Sequence, residues 1–273
     1  MTSFQRLIKL IADALAIGLV VSIIGGASTL ILTISGITSI KNEISEAQAN
    51  EEFTLYDVTN DVSNISLNLT RASLAIKQGD KFSVYYGEGF KIKNKNGILY
   101  VEDTLKDLID ITSSHTLIIT LPKNKTLSKV SISSGTGSVY IERLICESLD
   151  IDLGIGTTDI EYIKATSKAD IDGGVGNVTI KKGVLNNLDY SVGIGKSDIM
   201  AKFTGKGEIE AGIGDVELCL LGGENLYTIK GETGIGAIRV GKEKLGENSV
   251  VGSGKNILDI DGGIGTVKVA FAA

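Results

Sequence analysis

The chain has 273 residues, 42% hydrophobic and 22% charged, with 34 Gly, one Pro, no Trp and a net charge of -6. That length holds one large or two small domains, and so few aromatics suit a slim core of Ile, Val and Leu. With residues 1–40 set aside, 25 basic residues face 32 acidic ones, which argues against nucleic acid and against anionic lipid headgroups as partners.

From Ala14 to Ile40 there are 27 residues without a charge, more than the roughly 20 that cross a bilayer. The stretch LAIGLVVSIIGGASTLILTI reads as a transmembrane helix, making residues 1–40 a cytoplasmic stub and anchor. A cleaved signal peptide is the alternative, but its apolar core usually runs about 7–15 residues, and no convincing small-x-small cleavage site comes after it. Arg6 and Lys9 precede the helix; Lys41, Glu43, Glu46, Glu51 and Glu52 come after it. The basic excess puts the N-terminus inside and the C-terminal domain outside, as a single-pass protein of the cell membrane. Ala14, Gly18, Ser22 and Gly26 recur every fourth residue. Such a face lets two helices approach closely, so a homo-oligomer is one expectation; chance in a helix rich in small residues is the other.

Residues 41–52 (KNEISEAQANEE) form a polar tether. From residue 53 to 134 a β pattern runs without a clear repeat. Ile65, Leu67 and Leu69 alternate with Ser66, Asn68 and Thr70, and further strands are expected over 81–86, 97–101, 116–121 and 129–133. These are the irregular first coils and cap of the repeat region that begins at Gly135, since terminal repeats are usually atypical.

Over residues 135–273 the tripeptide Gly-x-Gly recurs with first glycines at Gly135, Gly154, Gly174, Gly193, Gly212, Gly234 and Gly263, spaced 19, 20, 19, 19, 22 and 29 apart. A near-fixed period of about 20 residues marks a repeat architecture. Three residues before each first glycine stand Ile151, Ile171, Tyr190, Ile209, Gly231 and Ile260; five before stand Leu149, Ala169, Leu188, Gly207, Ile229 and Leu258. This is the period-2 pattern of a half-buried strand. After the glycines the phase changes, with Val178 and Ile180, Val216 and Leu218, Ile238 and Val240, Val267 and Val269 now apolar. A straight strand would instead bury Asp159, Asp198, Glu217, Arg239 and Lys268, which is too costly. The chain must turn a corner at each glycine pair, a bend that glycine suits. Each repeat is then two short arms and two turns. The expectation is an all-β parallel β-solenoid of about 20 residues per coil, one arm pairing with the same arm a coil away. An antiparallel sandwich is the rival.

The spacing of 29 leaves an insertion, residues 241–256, expected as a surface loop. Cys146 and Cys219 lie four repeats apart, roughly 19 Å at the spacing of stacked strands. A disulfide needs Cα atoms within about 7 Å, so both read as unpaired thiols.

An anchor followed by YDVTNDVSNISLNLTRASLAIKQGDKFSVYY and by copies such as LDIDLGIGTTDIEYI, ADIDGGVGNVTIKKGVLNNLDYSVGIGKSDI and LDIDGGIGTVKV resembles the bacterial β-strand-repeat family known as putative adhesins, many of them Gram-positive membrane proteins. The resemblance covers Phe53 to Val269 and is most specific from Gly135 onward. It implies a right-handed solenoid outside the cell membrane and a link to envelope stress, and it supplies no catalytic residues.

No copy of Gly-x-Gly carries the third glycine of a dinucleotide fingerprint, and no phosphate loop is present. The calcium-binding nonapeptide is approached at residues 173–181 and 262–270, but Val178 and Val267 fill its aspartate position. A hydrolytic triad would have to use His115, the single histidine, and no nucleophile elbow exists.

Two outward offsets are acidic. One reads Asp150, Asp170, Asp189, Glu208, Lys230 and Asp259; the other reads Asp152, Asp172, Ser191, Glu210, Glu232 and Asp261. Stacking makes them adjacent columns. Three readings stay open: a solvated face that blocks aggregation, a weak divalent-cation or cationic-ligand surface centred on Asp150, Asp152, Asp170, Asp172, Glu208 and Glu210, and paired glycosidase carboxylates. The expected function is a non-enzymatic, adhesin-like binding or scaffolding module of the cell envelope with no cofactor. Its partners would be the membrane and an envelope protein or polysaccharide, not nucleic acid. The alternatives are an enzyme acting on wall polysaccharide through these carboxylates and an accessory sensor subunit.

Overall fold

The computed structural model describes residues 53–59, 61–104, 115–246 and 249–272, and over these the chain is all-β. The expected transmembrane helix, the tether and the small-residue face at Ala14, Gly18, Ser22 and Gly26 lie outside the described residues. Among the described residues no helix is long and apolar enough to cross a membrane.

The first part of the chain forms β1 (Thr54–Asp57), β2 (Asn64–Leu69), β3 (Ser73–Gly79), β4 (Ser83–Tyr86), β5 (Phe90–Lys95), β6 (Ile98–Asp103), β7 (Thr116–Pro122), β8 (Leu127–Thr136) and β9 (Val139–Ile141). The regular part forms β10 (Leu144–Ile160), β11 (Ile163–Asp172), β12 (Val175–Asn186), β13 (Leu188–Ser191), β14 (Ile194–Thr204), β15 (Lys206–Glu210), β16 (Ile213–Leu221), β17 (Tyr227–Glu232) and β18 (Ile235–Val240). It ends with β19 (Glu243–Lys244), β20 (Ser249–Gly252), β21 (Asn256–Asp261) and β22 (Ile264–Ala272).

Neighbouring copies pair in parallel and in register. Before the corner, Ile151 pairs with Ile171, Ile171 with Tyr190 and Tyr190 with Ile209. At the corner, Gly156 pairs with Gly176, Gly176 with Gly195 and Gly195 with Gly214. An antiparallel sandwich does not have this register. The apolar offsets fill a continuous core, with Leu149, Ile151, Ile180, Ile209 and Leu218 all buried.

The corner itself explains the glycines. A Cβ on Gly174 would lie 1.8 Å from the carbonyl oxygen of Gly154, so backbone stacks directly on backbone there. Except at Gly236, the second glycine of each copy adopts positive φ, as at Gly214 with φ 134, which side chains disfavour. The central residues Ile155, Val175, Ile194, Ile213 and Ile264 form a half-exposed row on the outside of the bend, and Ile235 at its end is 75% exposed.

Three features differ from the sequence reading. First, each repeat has a third strand segment: Ile163 pairs with Gly183 and Gly183 with Ala201, in their own ladder. It escapes counting at fixed offsets because it starts nine residues after Gly174 but eight after Gly193, with a bulge between Ile180 and Gly183 taking up the difference. Second, the copies do not stack in chain order. β21 lies between β15 and β17, and β22 lies between β16 and β18. Residues 222–226, with Gly222 and Gly223 at positive φ and a short 3-10 turn at Glu224–Leu226, carry the chain past one level, and the last copy returns to fill it. The start mirrors the end: β2 lies between β6 and β8, and β3 between β7 and β9. Third, residues 241–256 are not a plain loop. They contain β19 and β20, which pair antiparallel to β18 and β17. At the opposite end β5 caps β6 and β4 caps β7, again antiparallel, with β1 beyond β4. Both ends of the parallel stack thus finish in antiparallel strands, and the short, charged β5 and β19 are poor templates for edge-to-edge pairing.

Candidate functional site

The two acidic offsets lie on one face, along the ladder β5, β6, β2, β8, β10, β11, β13, β15, β21, β17, β20. Asp150 pairs with Asp170 and Asp152 with Asp172, so these four candidate residues are brought together. Glu208 and Glu210 are not beside them, because Asp189 and Ser191 occupy the level between. Their neighbours on the far side are Asp259 and Asp261. Carboxylate oxygens of Glu208, Glu210 and Asp261 lie within 4.8 Å of one another. A chain-order stack would have placed Glu232, not Asp261, beside Glu210; only the displaced last copy creates this grouping.

The columns differ in how their charge is met. In the first, Lys129 lies 3.8 Å from Asp150, Lys168 2.6 Å from Asp170, and Lys206 and Lys230 3.8 and 3.5 Å from Asp259. In the second, Asp152, Asp172, Asp261 and Glu232 form no ion pair with the described lysines and arginines. Asp172 is held above the usual carboxylate range by partial burial and then by Asp170, Asp152 and Asp189, against a lowering hydrogen bond from Ser191. Asp261 is raised by burial first, then by Glu232, Glu208 and Asp259. Asp189 and Glu208 of the first column likewise form none with them, so the second column carries the larger share of the unneutralised charge of the face. The outward side of the neighbouring arm is instead cross-linked by sign, Lys196 lying 3.1 Å from Asp198 and Lys268 3.1 Å from Glu217. Three convergent carboxylates can supply oxygen ligands to a hard divalent cation, and the whole column can meet a cationic surface.

Two buried acids lie elsewhere. Asp159, expected in solvent by its offset, is only 2% exposed. It sits between Tyr140 and Thr179 in register, with Lys181 3.3 Å from one carboxylate oxygen and no hydrogen-bond partner at the other. Asp103, whose side chain is fully buried, accepts from the Arg71 backbone N–H at 2.8 Å and pairs with His115 at 3.1 Å. The His115 ring stacks on Phe90 at 4.3 Å, so the single histidine serves packing. Cys146 and Cys219 are both free, as their spacing implied, and burial pushes the Cys146 thiol up to about 12.

No family model matches the chain, and no curated protein does. Among solved structures it is similar to a "putative cell adhesion protein" from Clostridium sporogenes, at 18% identity and TM-score 0.40 over 81% of this chain and 99% of that one. It is also similar to a "putative adhesin" from Bacteroides fragilis, at 18% identity and TM-score 0.42 over 81% of this chain and 98% of that one. A third such likeness is to a protein of the same description from Parabacteroides distasonis, at 16% identity and TM-score 0.39 over 80% and 95%.

Proposed function

We propose that the chain is a non-enzymatic, membrane-anchored binding or scaffolding module of the cell envelope, adhesin-like in use. It is built as a right-handed parallel β-solenoid that projects outside the membrane. The anchor rests on the uncharged stretch from Ala14 to Ile40. The handedness, the Gram-positive envelope setting and the link to envelope stress rest on the resemblance.

The observation that carries the binding reading is the column Asp152, Asp172, Glu210, Asp261 and Glu232. Acid–base catalysis needs two acids whose environments push their pKa values apart. Here Asp172 and Asp261 are shifted in the same direction by the same leading cause, burial. A surface that repeats carboxylates in register favours a repetitive cationic partner or bridging cations over a single bond to be cleaved.

The test incubates the full chain with purified wall polysaccharide and with envelope extract. Saturable retention without growth in reducing ends, weakened by the Asp152→Asn, Asp172→Asn double variant, is expected. Time-dependent release of reducing ends, abolished by Asp172→Asn, would assign the enzyme instead.

A further inference from the structure

The acidic face is not acidic along its whole length. Residues 53–145 carry 11 basic against 9 acidic residues, and residues 146–273 carry 13 against 19. The register turns this imbalance into a gradient along one ladder. Its outermost strand, β5, exposes Lys91, Lys93 and Lys95 on a single side. Across the pair they face Glu102, Tyr100 and Ile98 on β6. The next level is neutral, with Asn64, Ser66 and Asn68 on β2, and β8 presents Lys129, Ser131 and Ser133, still without an acid. Only at the level of β10, with Asp150 and Asp152, do the acidic columns begin.

We infer that the end formed by β5, β6 and β1 is a docking surface for an anionic lipid bilayer, on which the solenoid stands with its acidic columns beginning four strands further along the same ladder. The inference rests on the membrane anchor proposed above. Three observations carry it. The first is chain length. Twelve residues, 41–52, separate the uncharged stretch from Phe53. They reach about 40 Å at full stretch. They lead directly into β1, the outermost strand of the neighbouring ladder at this same end. A turn of only three residues, 87–89, joins its partner β4 to β5. The end that holds the lysines is therefore the end tied to the bilayer.

The second is charge. Lys91, Lys93 and Lys95 take part in no ion pair among the described residues, and Glu102 is the only carboxylate on that side of the β5–β6 pair. Basic residues beside a membrane are drawn to anionic headgroups within a Debye length. Asp150 lies four strands away, about 19 Å at strand spacing, beyond the roughly 8 Å over which charge acts at physiological salt. The acidic columns thus do not reach this end, whose nearby carboxylates include Glu102 across the β5–β6 pair and, in sequence, the glutamates of residues 41–52. The third is apolar exposure. Tyr100, 41% exposed, sits opposite Lys93, and Leu55 on β1 is 51% exposed. Tyrosine and lysine together suit the headgroup region, where an apolar body can enter and a polar tip stay wet.

The experiment reconstitutes the full chain into nanodiscs of phosphatidylcholine alone, or of roughly three parts phosphatidylcholine to one part phosphatidylglycerol. A brief pulse of water-soluble amine acylation is read by mass spectrometry at Lys91, Lys93 and Lys95. Exposed Lys202, far along the stack, is the internal reference. In the anionic discs, labelling of the three lysines should fall by about fivefold or more relative to Lys202 and recover in high salt. Equal labelling in the two compositions would overturn the inference while leaving the anchor standing. If the three were open in both, they would serve only to block edge pairing; if shielded in both, the glutamates of 41–52 or another protein segment would cover them. Failure of the chain to co-purify with discs of either composition would sink the anchor and the docking surface together.

Discussion

At the scale of single residues, the corner glycines and one Tyr–Ser pair show how the repeat tolerates variation. Gly174 has no room for a side chain, because a Cβ there would meet the Gly154 carbonyl oxygen at 1.8 Å and the Leu153 carbonyl oxygen at 2.1 Å. Both are backbone atoms, so the strain cannot be relieved by a rotamer. Gly174→Ala should cost about 3 kcal/mol in urea unfolding. Gly87→Ala is the control, since nothing lies within 4 Å of a Cβ there, and its effect should stay within about 0.5 kcal/mol. The Gly-x-Gly spacing made the need for a bend legible but not its cause, because sequence does not show which carbonyl stacks on which glycine. Tyr190 could be read from sequence as an oversized member of an Ile column. What it does there could not: its hydroxyl shares a 2.6 Å hydrogen bond with Ser197, a small residue in the next column of the same copy. Burial pushes that hydroxyl up to about 12, against the lowering effect of Ser197.

At the scale of elements, the order of stacking decides which strands depend on which. In a chain-order stack the last copy would be an end piece, and removing it would leave the rest intact. Here β21 and β22 lie inside the stack and bury Leu258, Ile260, Val267 and Val269. Full burial is worth about 1.5–3 kcal/mol for each such side chain. Deleting residues 257–273 should therefore release β17, β18 and β20 as well, and limited proteolysis should find new cuts across 222–256. A truncated chain that stays resistant there would restore chain-order stacking. Alternation gave the arms and the core away in sequence, and the 29-residue spacing marked where regularity fails. Strand alternation does not encode the neighbour, however, and the place beside β15 suits β17 as well as β21, which occupies it. The same limit hid Asp261 from the candidate site. Asp172 offers a pH test of the column. Its pKa is raised in the folded chain above the ordinary 3.8, so the native state holds this proton more tightly than the unfolded state does. The contribution to stability is present below that ordinary value and is lost as pH rises through the folded value. Asp172→Asn should melt higher than the parent at pH 7, and the difference should vanish as the pH falls below 3.8.

At the scale of the molecule, charge is graded along one face, from the lysines of β5 to the carboxylates of β10, β11, β15 and β21. Composition alone gave only the net acidity, because a sum over the chain erases position. The register restores it, and with it a direction: β1 and the basic strand β5 at one end, acidic columns toward the other. The proposed function holds the domain at a membrane, with this basic end nearest to it and the columns available to the envelope. Protease added to intact cells that make the full chain tests that placement most directly. Cleavage within 41–52 should release the β domain into the medium without lysis. Retention of the intact chain in whole cells, with cleavage only after lysis, would put the domain on the cytoplasmic side and contradict an extracytoplasmic binding module.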